Sequence, residues 1–191
     1  MKKIFWLLDI NYEVKDHKPE AWIWGIDNEE KRILIVDRNF SPYFYLITEE
    51  KENPQDVMER IKSRKEDFPF IVNLEPVDRK FFGKPVKAIK VVCQDPDLME
   101  KYAKGLEKIK GVEKYLEHDI RYSMRYLIDN DVTPCGWHEA EVEETENELG
   151  VQVDGVYLAK SFLRNIEKTE VPQLRILGFS MICYSREGAP K

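Results

Sequence analysis

Two arginines and two tyrosines raise the first chemical question. In Leu116–Trp137, LEHDIRYSMRYLIDNDVTPCGW, Arg121 and Arg125 are four residues apart, and so are Tyr122 and Tyr126. On a helix, residues at that spacing stack one turn above the other. Arginine can hold a phosphate through two parallel hydrogen bonds while an aromatic ring stacks on a base, the combination that single-strand binders use. The same spacing fits a plainer reading, in which one tyrosine packs into the core and the arginines pair with neighbours such as Asp119 and Asp129.

A second stretch, RKFFGKPVKAIK, places Arg79, Lys80, Lys84, Lys87 and Lys90 around a glycine turn beside Phe81 and Phe82. It reads equally as a local basic patch or as a solvated hairpin. It does not fit the K/R-G-F/Y-G/A-F-V-x-F/Y signature of an RNA-recognition strand, which counts against a free-standing RNA binder. Catalytic motifs are missing: there is no GxSxG, P-loop, HExxH or GxGxxG. His17, His118 and His138 are scattered, and Cys93, Cys135 and Cys183 form no CxxC pair, so neither a zinc site nor a disulfide framework is expected. The chain alone is expected to be non-catalytic and to carry no cofactor.

The elements that must hold these residues read as α+β. KKIFWLLDINY, EAWIWGID and RILIVDR are strands separated by turn residues, an antiparallel meander. SPYFYLITEE is a strand, followed by a helix over NPQDVMERIKSRK with Asn53 as cap and Pro54 at its first position. FIVNLEPVDRKFFGKPVKAIKVVCQ predicts two strands, DPDLMEKYAKGLEKIKG a helix capped by Asp95, and VEKYLEHDI a closing strand. The resulting β-α-β-β-α-β order is ferredoxin-like, the arrangement also found in RNA-recognition modules. It should occupy about residues 40–120 of a domain spanning 1–137. DIRYSMRYLIDND predicts a helix capped by Asp119 and ended at Asn130–Asp131. Residues 138–150, with EAEVEETENE, read as a solvated acidic loop, and 151–191 as a β segment of two or three strands.

With 191 residues, 42% of them hydrophobic, the chain can bury a core without staples. Its net charge of −6 argues against a generic nucleic-acid binder. That charge is uneven: Glu139–Lys191 holds ten acidic and six basic residues. No apolar run approaches the ~18 residues of a membrane span, and the start is too short and too interrupted for a signal peptide, so a cytoplasmic protein without a membrane partner is expected.

Several stretches together resemble the N-terminal domain of archaeal family-B DNA polymerases: DINY, DRNFSPYFYL, RKFFGKP, YLEHDIRYSMRYLIDNDVTPCGW and LRILGF, in that family's order. The most specific element is EHDIxxxxRYLIDxxxxP. The resemblance implies a domain that lies against single-stranded template DNA ahead of the polymerase site, with the remaining polymerase domains and replication proteins as partners. It also implies a pocket for template uracil. Carried over by position, its lining would be Tyr12, Pro42, Tyr43, Pro96, Met99, the backbone of Asp119, Ile120, Arg121 and Tyr122, and Arg125 and Tyr126. Such a pocket must reject cytosine through hydrogen bonds to the base edge and reject thymine by leaving no room for its methyl group. Met99, Arg121 and His118 depart from the family's valine, proline and tyrosine.

LRILGFSMICYS aligns with the strand that opens the family's exonuclease domain, where a Phe-Asp-Ile-Glu motif supplies two metal-binding carboxylates. Ser180 and Ile182 stand at those positions, and neither replaces a carboxylate. Proofreading is therefore expected to be lost, and Mg2+ is expected only for a polymerase domain beyond this segment. A second reading is a scaffold or interaction module, an exonuclease-inactive polymerase relative.

Overall fold

The computed structural model describes residues 1–181. The first strand, β1 (Lys2–Lys15), turns through Asp16 and His17, both at positive φ, into β2 (Lys18–Asp27), and β3 (Arg32–Asp37) follows. Two residues with positive φ match the right-handed twist of a tight hairpin. Phe5, Leu7, Ile10, Ala21, Ile23, Ile33 and Ile35 point inward. The step from Leu7 to Ile10 breaks strict alternation, and a register shift between Leu7 and Asp9 absorbs it. The bulge leaves Leu8 outside and returns Ile10 to the core. A Cβ on Gly25 would sit 2.6 Å from the Phe5 ring and 2.8 Å from the Trp6 carbonyl, so only glycine lets β1 and β2 approach there.

The meander does not stand alone. The acidic stretch expected as a loop over 138–150 carries a strand, β8 (Trp137–Thr145), which pairs antiparallel with β1, Phe5 facing His138. The physical reason is an alternation hidden among glutamates: Ala140 and Val142 are buried, whereas Glu141 and Glu143 face solvent. Next, β9 (Gly155–Ala159) pairs antiparallel with β8 and parallel with β3. The ring β1-β2-β3-β9-β8 thus closes back on β1, and a two-residue strand, β10 (Arg164–Asn165), extends β8 at the rim. Numbered within the ring, the order is 1-2-3-5-4-1 with a parallel 3–5 pair, the arrangement of an OB-fold barrel.

A second lobe is inserted between β3 and the rest of the barrel. Its sheet runs β5 (Ile71–Phe81), β6 (Lys84–Cys93), β4 (Tyr43–Thr48), β7 (Val112–Leu116), all antiparallel neighbours. β4 and β5 flank helix α1 (Pro54–Lys62) in sequence and are split in space by β6, the split β-α-β order. Asn53 accepts the Gln55 amide and Pro54 opens α1, as its sequence predicts. Asp95 accepts the Asp97 amide at the start of a 3-10 turn, Pro96–Leu98, that leads into α2 (Met99–Leu106). Both helices pack on one face, where Phe44, Leu46, Val57, Ile89, Val91 and Leu106 form the lobe's own core.

The third helix, α3 (Tyr122–Asp129), returns the chain to the barrel. Asp119 does not cap it. Arg121 occupies the cap position without a side-chain acceptor, because Asp119 lies two residues too early. Asn130 ends the helix as expected, its side-chain amide donating to the Tyr126 carbonyl. Beyond Asn165 the segment through Met181 holds no strand. The strand expected over LRILGFSMICYS is absent through Met181, since no neighbouring strand among the described residues satisfies its backbone. No helix is long and apolar enough to cross a membrane.

Candidate functional site

The two tyrosines of α3 belong to the barrel. Tyr122 and Tyr126 are buried in its core, Tyr126 completely. The Tyr126 hydroxyl donates to Asp37 Oδ2 at 2.8 Å, and the Tyr122 hydroxyl donates to the Phe40 carbonyl at 2.8 Å. Burial, with the Asp37 carboxylate nearby, raises both phenols far above their usual range, so both remain neutral donors. Tyr126 therefore cannot stack on a ligand, and Tyr122 is only 2% exposed.

The arginines also part company. Arg125 is buried and fully engaged: its guanidinium reaches Glu117 Oε2 at 2.9 Å, the Glu117 carbonyl at 3.3 Å and the Tyr43 hydroxyl at 3.3 Å, and lies over the Tyr43 ring at 4.4 Å. Tyr43 donates in turn to Asp129 Oδ1. Glu117 sits at positive φ in the turn between β7 and α3, so Arg125 braces that turn. Arg121 precedes the helix, is exposed, and makes no ion pair among the described residues.

A cleft of about 420 Å³ opens where the lobes meet. Tyr12 comes from β1, Pro96 from the 3-10 turn, Met99 from the start of α2, Asp119, Ile120 and Arg121 from the connection into α3, and Tyr122 from its first position. Seven of the eleven residues carried over from the resemblance are thus brought together. Pro42, Tyr43, Arg125 and Tyr126 do not line the cleft. Pro42 is buried, with its carbonyl accepting the Cys93 amide. Met99 is nearly buried in the second core and also lines the cleft.

Three lining residues were not foreseen as site residues: Asp97, Glu100 and His118. Their signal was position, since they flank Pro96, Met99 and Asp119 in sequence. His118 Nδ1 is buried without a hydrogen-bond partner, and its ring stands edge-on to Tyr115 at 4.7 Å. An unpaired buried ring nitrogen is costly. Burial, reinforced by the carboxylates of Asp97 and Asp95, raises the Tyr12 phenol, which keeps it a donor. The acidic side of the cleft repels phosphate and the Arg121 side attracts it.

The lobes are clasped beside this cleft. His17 Nδ1, at the β1–β2 turn, lies 2.6 Å from Asp95 Oδ2, and the His17 ring stacks on Phe70 at 4.0 Å.

Comparison with known proteins decides the family. The family model described as DNA polymerase family B, exonuclease domain, matches residues 113–191. DNA polymerase 3 of Saccharolobus shibatae is 35% identical over 99% of this chain and 24% of its own length. A solved family-B DNA polymerase from the hyperthermophilic archaeon Pyrobaculum calidifontis superposes with a TM-score of 0.75 at 33% identity, over 90% of this chain and 21% of that one. The chain matches a segment of the family-B DNA polymerases.

DNA polymerase 2 of Aeropyrum pernix is 29% identical over 97% of the chain, again across 24% of the relative. The segment therefore spans about a quarter of the length of these Saccharolobus and Aeropyrum relatives. The match to the exonuclease model begins in β7 and includes α3, β8 and β9, the elements that complete the barrel. Ser180 is exposed outside any strand, and Ile182 lies outside the described residues. Among the described residues no group of three or more His, Cys, Asp or Glu side chains could hold a metal ion. A serine hydroxyl is a poor substitute for a carboxylate on Mg2+, so no metal-dependent step can be built on Ser180.

Proposed function

We propose that this family-B polymerase segment binds single-stranded template DNA and receives one unstacked base in the cleft between its lobes. The observation that carries the reading is the meeting of Tyr12, Pro96, Met99 and residues 119–122 around one opening, with Arg121 free at its rim. Backbone amides of the β7–α3 connection are suited to a base edge, and Arg121 to the adjoining phosphate. Met99 and Tyr122 supply apolar walls. The carboxylates of Asp97, Glu100 and Asp119 confine the strand to the Arg121 side.

Template uracil is the base we assign to the cleft, because seven of the residues carried over from the family's uracil pocket line it. Methionine is flexible enough to shape such a lining. The deciding experiment is binding of the chain to a labelled single strand carrying one uracil, against the same strand with thymine, at fixed moderate salt. Tighter binding to uracil supports the base-selective site. Equal, salt-sensitive binding reduces the role to a template clamp, and no binding to either strand removes it.

A second reading, a docking scaffold, is favoured by a different observation. Ile176, Leu177 and Phe179 are each more than 85% exposed in an irregular segment. Apolar exposure of that density suits burial against a further polymerase segment. Association with such a segment in a binding assay, without affinity for DNA, would select this reading over the first.

A further inference from the structure

The second lobe carries a chain of rings and cations on the sheet face opposite its helices. Tyr43 has Lys90 Nζ at 3.9 Å from its ring centre, in addition to Arg125. Tyr43 meets Tyr45 edge-on at 5.5 Å, and Arg79 lies over Tyr45 at 5.2 Å while donating to its hydroxyl. Farther along, Lys114 stands over Phe81 at 4.7 Å, and Phe81 meets Phe82 at 4.6 Å. The register explains the continuity: Lys90 faces Tyr45 on one side and Glu75 on the other, so these side chains share one surface.

That surface runs out onto a projecting hairpin. β4 pairs with β6 no farther than Ala88, whereas β5 and β6 pair out to Phe81 and Lys84. Phe82 is 91% exposed at the tip, where burial offers it nothing. From Arg79 to Lys90 there are five basic residues and no acidic one, in a chain whose net charge is −6. Among the described residues none of these five makes an ion pair, although Lys and Arg elsewhere pair extensively.

We propose that this sheet face and hairpin form a binding track for single-stranded nucleic acid, separate from the cleft. The lysines of the hairpin take the phosphodiester charge, and Phe82 stacks on a base. The chemistry is shared by DNA and RNA strands, and on this face Arg79, Lys84, Lys90 and Lys114 outnumber Glu75, which is in register with Lys90. This goes beyond the template reading, which concerns the other end of the sheet and α3.

The test is a fluorescence-anisotropy titration of the whole chain with labelled oligothymidylate and oligouridylate across a salt series. Three variants are compared: Phe82→Ala, the double variant Lys84→Ala/Lys90→Ala, whose two side chains share the aromatic face, and Arg121→Ala. The lysine pair is expected to lower the magnitude of the salt slope by about 1.4, at roughly 0.7 for each lost phosphate contact on a single strand. Phe82→Ala is expected to weaken binding about tenfold with the slope unchanged, as loss of one stacked base does. Wild-type affinity in both hairpin variants overturns the track, and if Arg121→Ala then weakens binding, the cleft reading stands alone. Loss confined to the hairpin variants supports the track and removes the cleft. Equal competition by polyphosphate and by the oligonucleotides overturns the stacking role of Phe82. Failure of the wild-type chain to bind either strand overturns both proposals.

Discussion

Asp95 serves both lobes at once: one carboxylate oxygen accepts the Asp97 amide, and the other lies 2.6 Å from His17 Nδ1 at the β1–β2 turn. The carboxylate is buried while the imidazole is half exposed, so the contact is anchored from the second lobe. Asp95→Ala should cost about 2 kcal/mol by combining a lost cap with a lost clasp, and His17→Ala about 1 kcal/mol. Urea denaturation of both variants and the double variant measures this. A coupling energy near zero would show that the two residues act independently.

The Tyr126–Asp37 bond lies wholly inside the barrel. Tyr126→Phe removes the donor and leaves Asp37 with fewer partners, an expected cost of about 1–3 kcal/mol. Strand affinity measured well below the melting temperature should be unchanged, because the ring is inaccessible. A large loss of DNA binding by a folded variant would contradict the assignment of this tyrosine to the core.

Arg121 and Arg125 should separate cleanly in experiment. Arg121→Ala should leave thermal stability nearly unchanged and weaken strand binding, with the salt slope falling by about 0.7. Arg125→Ala removes the donor to the Tyr43 hydroxyl, which keeps its bond to Asp129, and frees the Glu117 turn, so the melting temperature should fall markedly. Its effect on binding would follow from a loosened cleft wall.

His138 gives a pH signature. It is buried in the barrel, its Nε2 has no partner, and burial lowers its pKa below the ordinary histidine value. The unfolded chain takes up a proton near pH 6.5 while the native imidazole stays neutral. Stability should therefore hold above about pH 6.5 and fall as pH drops from there through the lowered native value. Urea midpoints at several pH values, compared with His138→Gln, test the sign. A variant whose acid loss equals that of the wild type would clear His138 of the effect.

Local signals made much of the second lobe legible. Asn53 and Pro54 announce α1, Asp95 announces the turn into α2, and Gly83 marks the hairpin, because each acts within a few residues of itself. The site was partly legible, since the resemblance gathered residues from three separate stretches around one cleft. Periodicity did not tell which face of α3 was buried. Tyr122 and Tyr126 fill the barrel, and Arg121 lies just outside the helix, so the arginine stack that the spacing allows does not form. The barrel itself was illegible because β8 has an apolar face diluted by glutamates, and its partner β1 lies at the far end of the sequence.

The seam between β1 and β8 also sets a timetable. The Met1 ammonium donates to the Val142 carbonyl and the Val142 amide to the Met1 carbonyl, across 141 positions of chain. On a ribosome adding about 5–20 residues per second, β1 is made roughly ten seconds before its second neighbour exists. During that interval the inserted lobe can complete its own core, while the first three strands wait with an open edge. The barrel is therefore finished last, and a lesion in β8 would leave that early edge available to other chains.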